Sequence, residues 1–284
     1  MENVLITGAN GFIGKHVCEK LHGYNIVPLF CKTTDFDELC EEIKEEKIDY
    51  VLHLGSHVNL EKSYEKAKKT IDENILGTVN LLEAVKDKGV KRFIFFSTEE
   101  VYGNNKPPYS EEMLPDPTSP YAISKLCSEH YCKLYGRLYD MPYTVLRVSY
   151  VYGFGQKEER LIPYLFRELI RNKEVVLNAD SQKRDFIYID DLIDAIRKVM
   201  ASEEAANQII NIGDIQNHYP SEIAEQIKSI TKSSGNIRLS EEQVRKGEAE
   251  EWSLSTEKAR RILKWKPRTD MHEGMRVLSQ LYKN

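Results

Sequence analysis

Short apolar runs alternate with amphipathic segments through the first two-thirds of the chain. The runs at 3–7, 25–30, 50–54, 92–97, 143–148 and 208–212 are mostly apolar, as strands covered on both faces are. The segments 12–21, 36–46, 70–88 and 120–139 read as helices between them. Ile71, Ile75, Val79, Leu82 and Val85 recur at helical spacing, and Gly89 is a credible stop. This alternation predicts an α/β fold, a doubly wound parallel sheet with helices on both faces. Beyond residue 151 the segments are shorter and more mixed, with loops at 153–155 and 178–183. We therefore expect two parts. Residues 1–150 form the sheet domain, joined by a returning strand near 208–213, and residues 151–284 form mainly a smaller C-terminal lobe that holds substrate. No Pro/Gly/Ser linker separates them, so the lobes should pack together.

Composition narrows the class. The 284 residues are 41% apolar and 30% charged with a net charge of -5, which is ordinary for a globular protein. The acidic pairs Glu41-Glu42 and Glu45-Glu46 alternate with lysines and read as solvated helix faces. No basic stripe points to a nucleic-acid partner. No apolar run reaches the ~18–20 residues that cross a bilayer, so no membrane partner is expected. The opening Met1-Glu2-Asn3-Val4-Leu5-Ile6 lacks the build of a secretion signal. Five cysteines, at 18, 31, 40, 127 and 132, show no metal spacing. An odd number of thiols without a signal suggests reduced cysteines in the cytoplasm and no metal site.

The first motif with chemistry is Thr7-Gly8-Ala9-Asn10-Gly11-Phe12-Ile13-Gly14. It follows the first strand and opens the first helix. Gly8, Gly11 and Gly14 permit a tight turn and let a pyrophosphate approach the free N–H groups of the helix start. A purely structural turn is the plainer alternative, but the β-α-β pattern that follows favours dinucleotide binding. The spacing G-x-x-G-x-x-G with Phe12-Ile13 resembles the extended short-chain dehydrogenase/reductase family of nucleotide-sugar enzymes. The resemblance implies a Rossmann-type sheet and a nicotinamide cofactor. It also implies that Asp35-Phe36 lies beside the adenine ring and that the Leu54-Gly55 backbone meets the cofactor. An NAD site usually carries an acid after the second strand. Here 27–34 contains none, and Lys32 could pair with a 2′-phosphate, or be a plain surface lysine. NADP(H) is therefore favoured, with NAD(H) the alternative.

Ser119-Pro120-Tyr121-Ala122-Ile123-Ser124-Lys125 is the most informative stretch. Ser119 suits an N-cap and Pro120 the first helical position. Tyr121 and Lys125 then fall one turn apart on one face. A tyrosine at its ordinary pKa of about 10 is a poor base, and a nearby ammonium lowers it. Tyr121 could then exchange a proton with a sugar hydroxyl while hydride moves. An exposed pair is the plainer reading of Y-x-x-x-K alone. By resemblance, Lys125 also holds the nicotinamide ribose, and Thr98 supplies a hydroxyl to the reacting oxygen, with Ser97 the near alternative. The family's sugar 4,6-dehydratases carry Thr-Asp-Glu where this chain has Thr98-Glu99-Glu100. Glu99 and Glu100 are thus candidate acid/base groups, and Glu99 in particular speaks for dehydration.

Arg147-Val148-Ser149-Tyr150-Val151-Tyr152-Gly153 resembles the family's strand leading into the nucleotide site, with Tyr150 where Asn is common. Arg184-Asp185-Phe186-Ile187-Tyr188-Ile189-Asp190-Asp191 matches another family motif closely. It implies that Arg184 grips a diphosphate; an ion pair with Asp190 is the alternative. Arg245 is a second diphosphate candidate. Lys258-Ala259 and Leu263-Lys264-Trp265-Lys266-Pro267 complete the resemblance. His53 and Asn74 are expected to be structural. The implied activity is an NAD(P)-dependent oxidoreductase working through a 4-keto sugar, as a C4 ketoreductase or epimerase. A 4,6-dehydratase using Glu99 and Glu100 is the alternative, and a non-catalytic NADP-sensing binding protein is the rival. The implied partner is a UDP-, dTDP-, GDP- or CDP-linked sugar. By the same analogy a homodimer forms through the helices at 70–88 and 120–139.

Overall fold

A computed structural model describes residues 1–58, 64–178, 182–240 and 250–282. Its first half runs β1 (Glu2–Thr7), α1 (Phe12–Lys20), β2 (Tyr24–Pro28), α2 (Phe36–Glu42), β3 (Tyr50–His53), α3 (Tyr64–Thr70), α4 (Gly77–Val85), β4 (Arg92–Thr98), α5 (Pro120–Leu138) and β5 (Tyr143–Val148). The second half runs β6 (Tyr150–Tyr152), α6 (Leu161–Ile170), β7 (Val175–Asn178), β8 (Arg184–Tyr188), α7 (Ile189–Ala201), β9 (Gln208–Ile212), β10 (Asn217–His218), α8 (Pro220–Thr231), β11 (Ile237–Ser240), α9 (Glu257–Leu263) and α10 (Met271–Leu281).

Six strands form one parallel sheet in the order β2-β1-β3-β4-β5-β9. All six predicted strands lie in it. Side chains alternate along each strand between two cores. Val4, Ile6, Leu52, Ile94, Phe96 and Leu146 face one, and Leu5, Val51, Phe93, Phe95 and Val145 face the other. That period of two explains why the strands read as continuous apolar runs. The strand order reverses at β1, so a crevice opens beyond the carboxyl ends of β1 and β3, where such sheets bind ligands.

Two helices depart from expectation. The helix foreseen over 70–88 begins earlier and holds a π-helical turn, Ile71–Leu76, between α3 and α4. That turn holds Asn74, which is buried and bonded to its surroundings, and π-turns of this kind often mark functional sites. The helix foreseen over 36–46 ends at Glu42, whose carboxylate accepts the N–H groups of Phe30 (2.7 Å) and Cys31 (2.9 Å).

The C-terminal part carries two small sheets, β10-β8-β6 and β11-β7. It shares a core with one face of the main sheet, since Ile193, Ile196, Trp265 and Met275 cluster with Val4 and Ile6. Trp265 is buried and donates to the Asp191 carbonyl (3.2 Å), while Asp191 accepts the Thr269 N–H (2.9 Å). The closing Leu263–Pro267 motif thus locks α7 in place. Among the described residues no helix is long and apolar enough to cross a membrane.

Candidate active site

The turns after β1 and β3 touch backbone to backbone. Gly8 has φ +70°, and a Cβ there would lie 2.8 Å from the Gly55 nitrogen. A Cβ at Gly14 would lie 2.2 Å from the Gly8 carbonyl oxygen, so α1 can start only this close with glycine there. Gly11 is the N-cap of α1 and brings no side-chain cap, which leaves the N–H groups around Phe12 and Ile13 for an anion. Thr7 Oγ1 accepts the Gly55 N–H (2.9 Å) and meets His53 Nδ1 (2.7 Å), while His53 Nε2 meets Thr78 Oγ1 (3.0 Å). Burial, with Lys125 nearby, pulls the His53 pKa down to about 3, so His53 is a neutral brace.

A cleft of ≈820 Å³ opens here, bordered by Gly8, Lys32, Thr33, Gly55, Ser56 and Lys69 among others. Gly8, Lys32 and Gly55 line it, and Leu54 lies half-buried next to Gly55. Asp35 has a further local role as N-cap of α2, accepting the Glu38 N–H (3.1 Å), and Phe36 is exposed next to it. An acid does reach the end of β2, but from α2. Glu42 arrives through space and is taken up by the backbone, an arrangement no local motif signals.

Ser119 caps α5 by accepting the Ala122 N–H (3.1 Å), and Pro120 takes the first turn. Tyr121 is thereby fixed beside the end of β4. Its phenol lies beside the Ser56 and Thr98 hydroxyls. Burial pushes the phenol pKa well up, Glu100 adds to this, and the two hydroxyls oppose it. Lys125 faces elsewhere. It donates to the Phe96 carbonyl (2.6 Å) and lies over the Phe95 ring (4.6 Å). Burial pulls its pKa down to about 7, against the influence of Cys132 and Glu129. The phenol is thus ruled by burial and hydroxyls rather than by the ammonium one turn away.

Ser97, the alternative to Thr98, is turned away and donates to Glu129 (2.6 Å). Glu129 also accepts both Arg147 Nε (3.0 Å) and Nη2 (2.7 Å) in a fully buried fork. Sequence reading missed this pair, although Glu129 stands one turn beyond Lys125. Ser56 was missed as well. Asn74 accepts from the His57 N–H (2.7 Å) and donates to the His57 carbonyl (3.1 Å) and to Ser124 Oγ (2.9 Å). It ties the loop after β3 to α5, as a structural residue would.

Glu99 is buried, with neither carboxyl oxygen hydrogen-bonded. Its electrostatic neighbours are Asp185, Glu100 and Arg184. Arg184 stacks on the Tyr150 ring (4.8 Å) and donates to Gln182 Oε1 (2.8 Å). Asp190 pairs with Lys20, so the alternative partner for Arg184 is taken. Arg184 thus lies between the Tyr150 ring and the surroundings of Glu99. Arg245 lies outside the described residues. Among the described residues no cluster of His, Cys, Asp or Glu could hold a metal.

Residues 4–213 match the model of a family described as the NAD dependent epimerase/dehydratase family. A UDP-glucuronate 4-epimerase of Thermodesulfobacterium geofontis is 30% identical over 86% of this chain and 75% of its own. The structure of a Thermotoga maritima UDP-glucose 4-epimerase with UDP-glucose superposes with a TM-score of 0.92 at 28% identity, over 99% of this chain and 98% of that one. A Bacillus cereus UDP-glucuronic acid 4-epimerase in complex with UDP-glucuronic acid and NAD gives 0.88 at 27% identity, over 99% of each chain.

Proposed function

This chain belongs to the NAD dependent epimerase/dehydratase family, and on that premise we propose that it is a nucleotide-sugar 4-epimerase. It removes hydride from C4 of a UDP-linked hexose and returns it to the opposite face. The observation that carries this reading is the gathering of the Tyr121 and Thr98 hydroxyls around Ser56, which borders the glycine-lined cleft. When bound, the nicotinamide supplies the hydride acceptor and a positive charge. Tyr121 takes the C4 hydroxyl proton as the ketone forms and gives it back afterwards. Thr98 orients the oxygen, and the hydroxyls around the phenol stabilise its anion. Lys125 would have to leave the Phe96 carbonyl to reach the nicotinamide ribose. The uncapped start of α1 receives the pyrophosphate, and Arg184 takes the diphosphate of the sugar nucleotide.

Lys32 on the cleft wall supports NADP(H), and the Glu42 oxygens near the end of β2 already accept two backbone N–H groups. Exposed Ile71 and Leu76, with Ile123, Leu134 and Leu138 on α5, support a homodimer through these helices.

Glu99 favours a second reading, 4,6-dehydration, because a buried acid stands next to Thr98. One experiment separates the activities. The protein is incubated with UDP-, dTDP-, GDP- and CDP-sugars and their 4-keto-6-deoxy derivatives, with and without NADPH, and products are read by NMR. A C4 isomer without net cofactor use is the expected result. A 4-keto-6-deoxy product identifies a dehydratase, and stoichiometric NADPH loss a ketoreductase. Bound cofactor without turnover of any sugar leaves only a sensor.

A further inference from the structure

Glu99 and Asp185 are both fully buried and are electrostatic neighbours, yet they are served very differently. Asp185, on β8, accepts the Asp214 N–H at Oδ1 (2.7 Å) and the Leu254 N–H at Oδ2 (3.3 Å). Gly213 makes room for it, since a Cβ there would lie 2.6 Å from Asp185 Oδ2. That cradle is built for an anion. Glu99 receives no hydrogen bond at either oxygen. The groups around it are Glu100 on its own turn, Asp185 and Arg184 on β8, and Tyr109 from the segment before α5. Tyr109 cannot serve it, because its hydroxyl proton goes to the Glu251 carbonyl (3.2 Å).

Two like charges cannot both persist in such a place, and the proton goes to the member without donors. We infer that Asp185 is a positioning residue: as the ionised partner of a buried carboxyl pair, it keeps Glu99 a neutral acid able to donate to an oxygen of the bound sugar. The donation to sugar rests on the reading above, whereas the location of the proton does not. Burial, Asp185 and Glu100 all push the Glu99 pKa up, and Arg184 opposes them. The Asp185 carboxyl is pushed up as well, by burial first, and the backbone N–H groups of Asp214 and Leu254 oppose this.

The test is infrared spectroscopy of the whole protein at neutral pH, with glutamate or aspartate carboxyls labelled with carbon-13. A protonated-carboxyl band that shifts with labelled glutamate and disappears in Glu99→Gln is expected. A band that shifts with labelled aspartate instead, or no such band, overturns the assignment. In Asp185→Asn the pH at which the Glu99 band disappears should fall by about one unit or more. An unmoved midpoint removes Asp185 from the account. A separate arm needs only Glu99→Gln. Glu99 retains its proton when folded and loses it on unfolding above its ordinary value of about 4.3. The wild-type folding constant should therefore fall relative to the variant as pH rises from there, by up to about tenfold per pH unit. Parallel pH dependence of the two proteins contradicts the inference. None of these readouts needs turnover, so a wrong substrate and a misplaced proton remain distinguishable.

Discussion

Two glutamates flank the end of β4, and both are buried. Glu129 has each oxygen engaged, by Ser97 and by both arms of the Arg147 fork. Glu99 has neither. The first arrangement closes in on itself and binds α5 to β4 and β5. The second leaves a carboxyl with unused bonding capacity beside Thr98, the residue proposed to orient the substrate oxygen. A buried carboxyl whose oxygens are both partnered builds the scaffold. One left without partners is costly, and it persists where the site uses it. Tyr121 stands on the same side of this division as Glu99, since its hydroxyl partners are ones a substrate oxygen can replace.

The contrast can be broken most severely at the phenol. Tyr121→Phe should lower kcat by ~10²–10⁴ while nicotinamide binding, followed by fluorescence, persists. On the scaffold side, Glu129→Gln leaves Arg147 buried without its counter-charge and should cost about 3–5 kcal/mol in chemical denaturation. Glu99→Gln should leave the fold intact, and replacing Glu129 and Arg147 together by apolar residues of similar volume should recover most of the loss. Equal damage from Glu99→Gln and Glu129→Gln would erase the distinction.

Lys125 lies between the two groups, and its burial has a sign that can be checked. Its folded pKa of about 7 is below the ordinary lysine value, so the unfolded chain binds more protons above pH 7. Stability should rise with pH from about 7 towards 10, by up to about tenfold in the folding constant per unit, and Lys125→Met should abolish that rise. The smallest effect is at the cleft rim. Lys32→Ala should weaken NADPH by about three- to tenfold, the worth of one exposed charge pair, and leave NADH unchanged. Equal loss for both cofactors would remove Lys32 from 2′-phosphate recognition.

What could be read from sequence divides along a physical line. The six strands of the main sheet and the glycine turn were legible because burial on both faces and backbone contact restrict residue type position by position. Gly8 and Gly14 admit no Cβ, and Ser119-Pro120 can do little but start a helix. The short strands β6, β7, β8, β10 and β11 escaped prediction because they are two to five residues long and pair only across the lobe. In the candidate site, Thr98, Tyr121 and Lys125 were named through local motifs. Ser56, Glu42, Glu129 and Asp185 were not, since each acts on a residue distant in the chain or on another element. The direction of Lys125 was also hidden. One turn of spacing places two side chains on a face, but the Phe96 carbonyl decides where the ammonium points.

The central claim is that Tyr121 moves the proton while hydride leaves a sugar carbon. Rapid mixing of UDP-hexoses with protein carrying oxidised cofactor tests it most directly, by following absorbance of the reduced nicotinamide. A transient in the wild type that is lost in Tyr121→Phe, with the cofactor still bound, is the predicted result. A transient of equal rate and amplitude in the variant, or none in the wild type with any nucleotide sugar, would contradict the account.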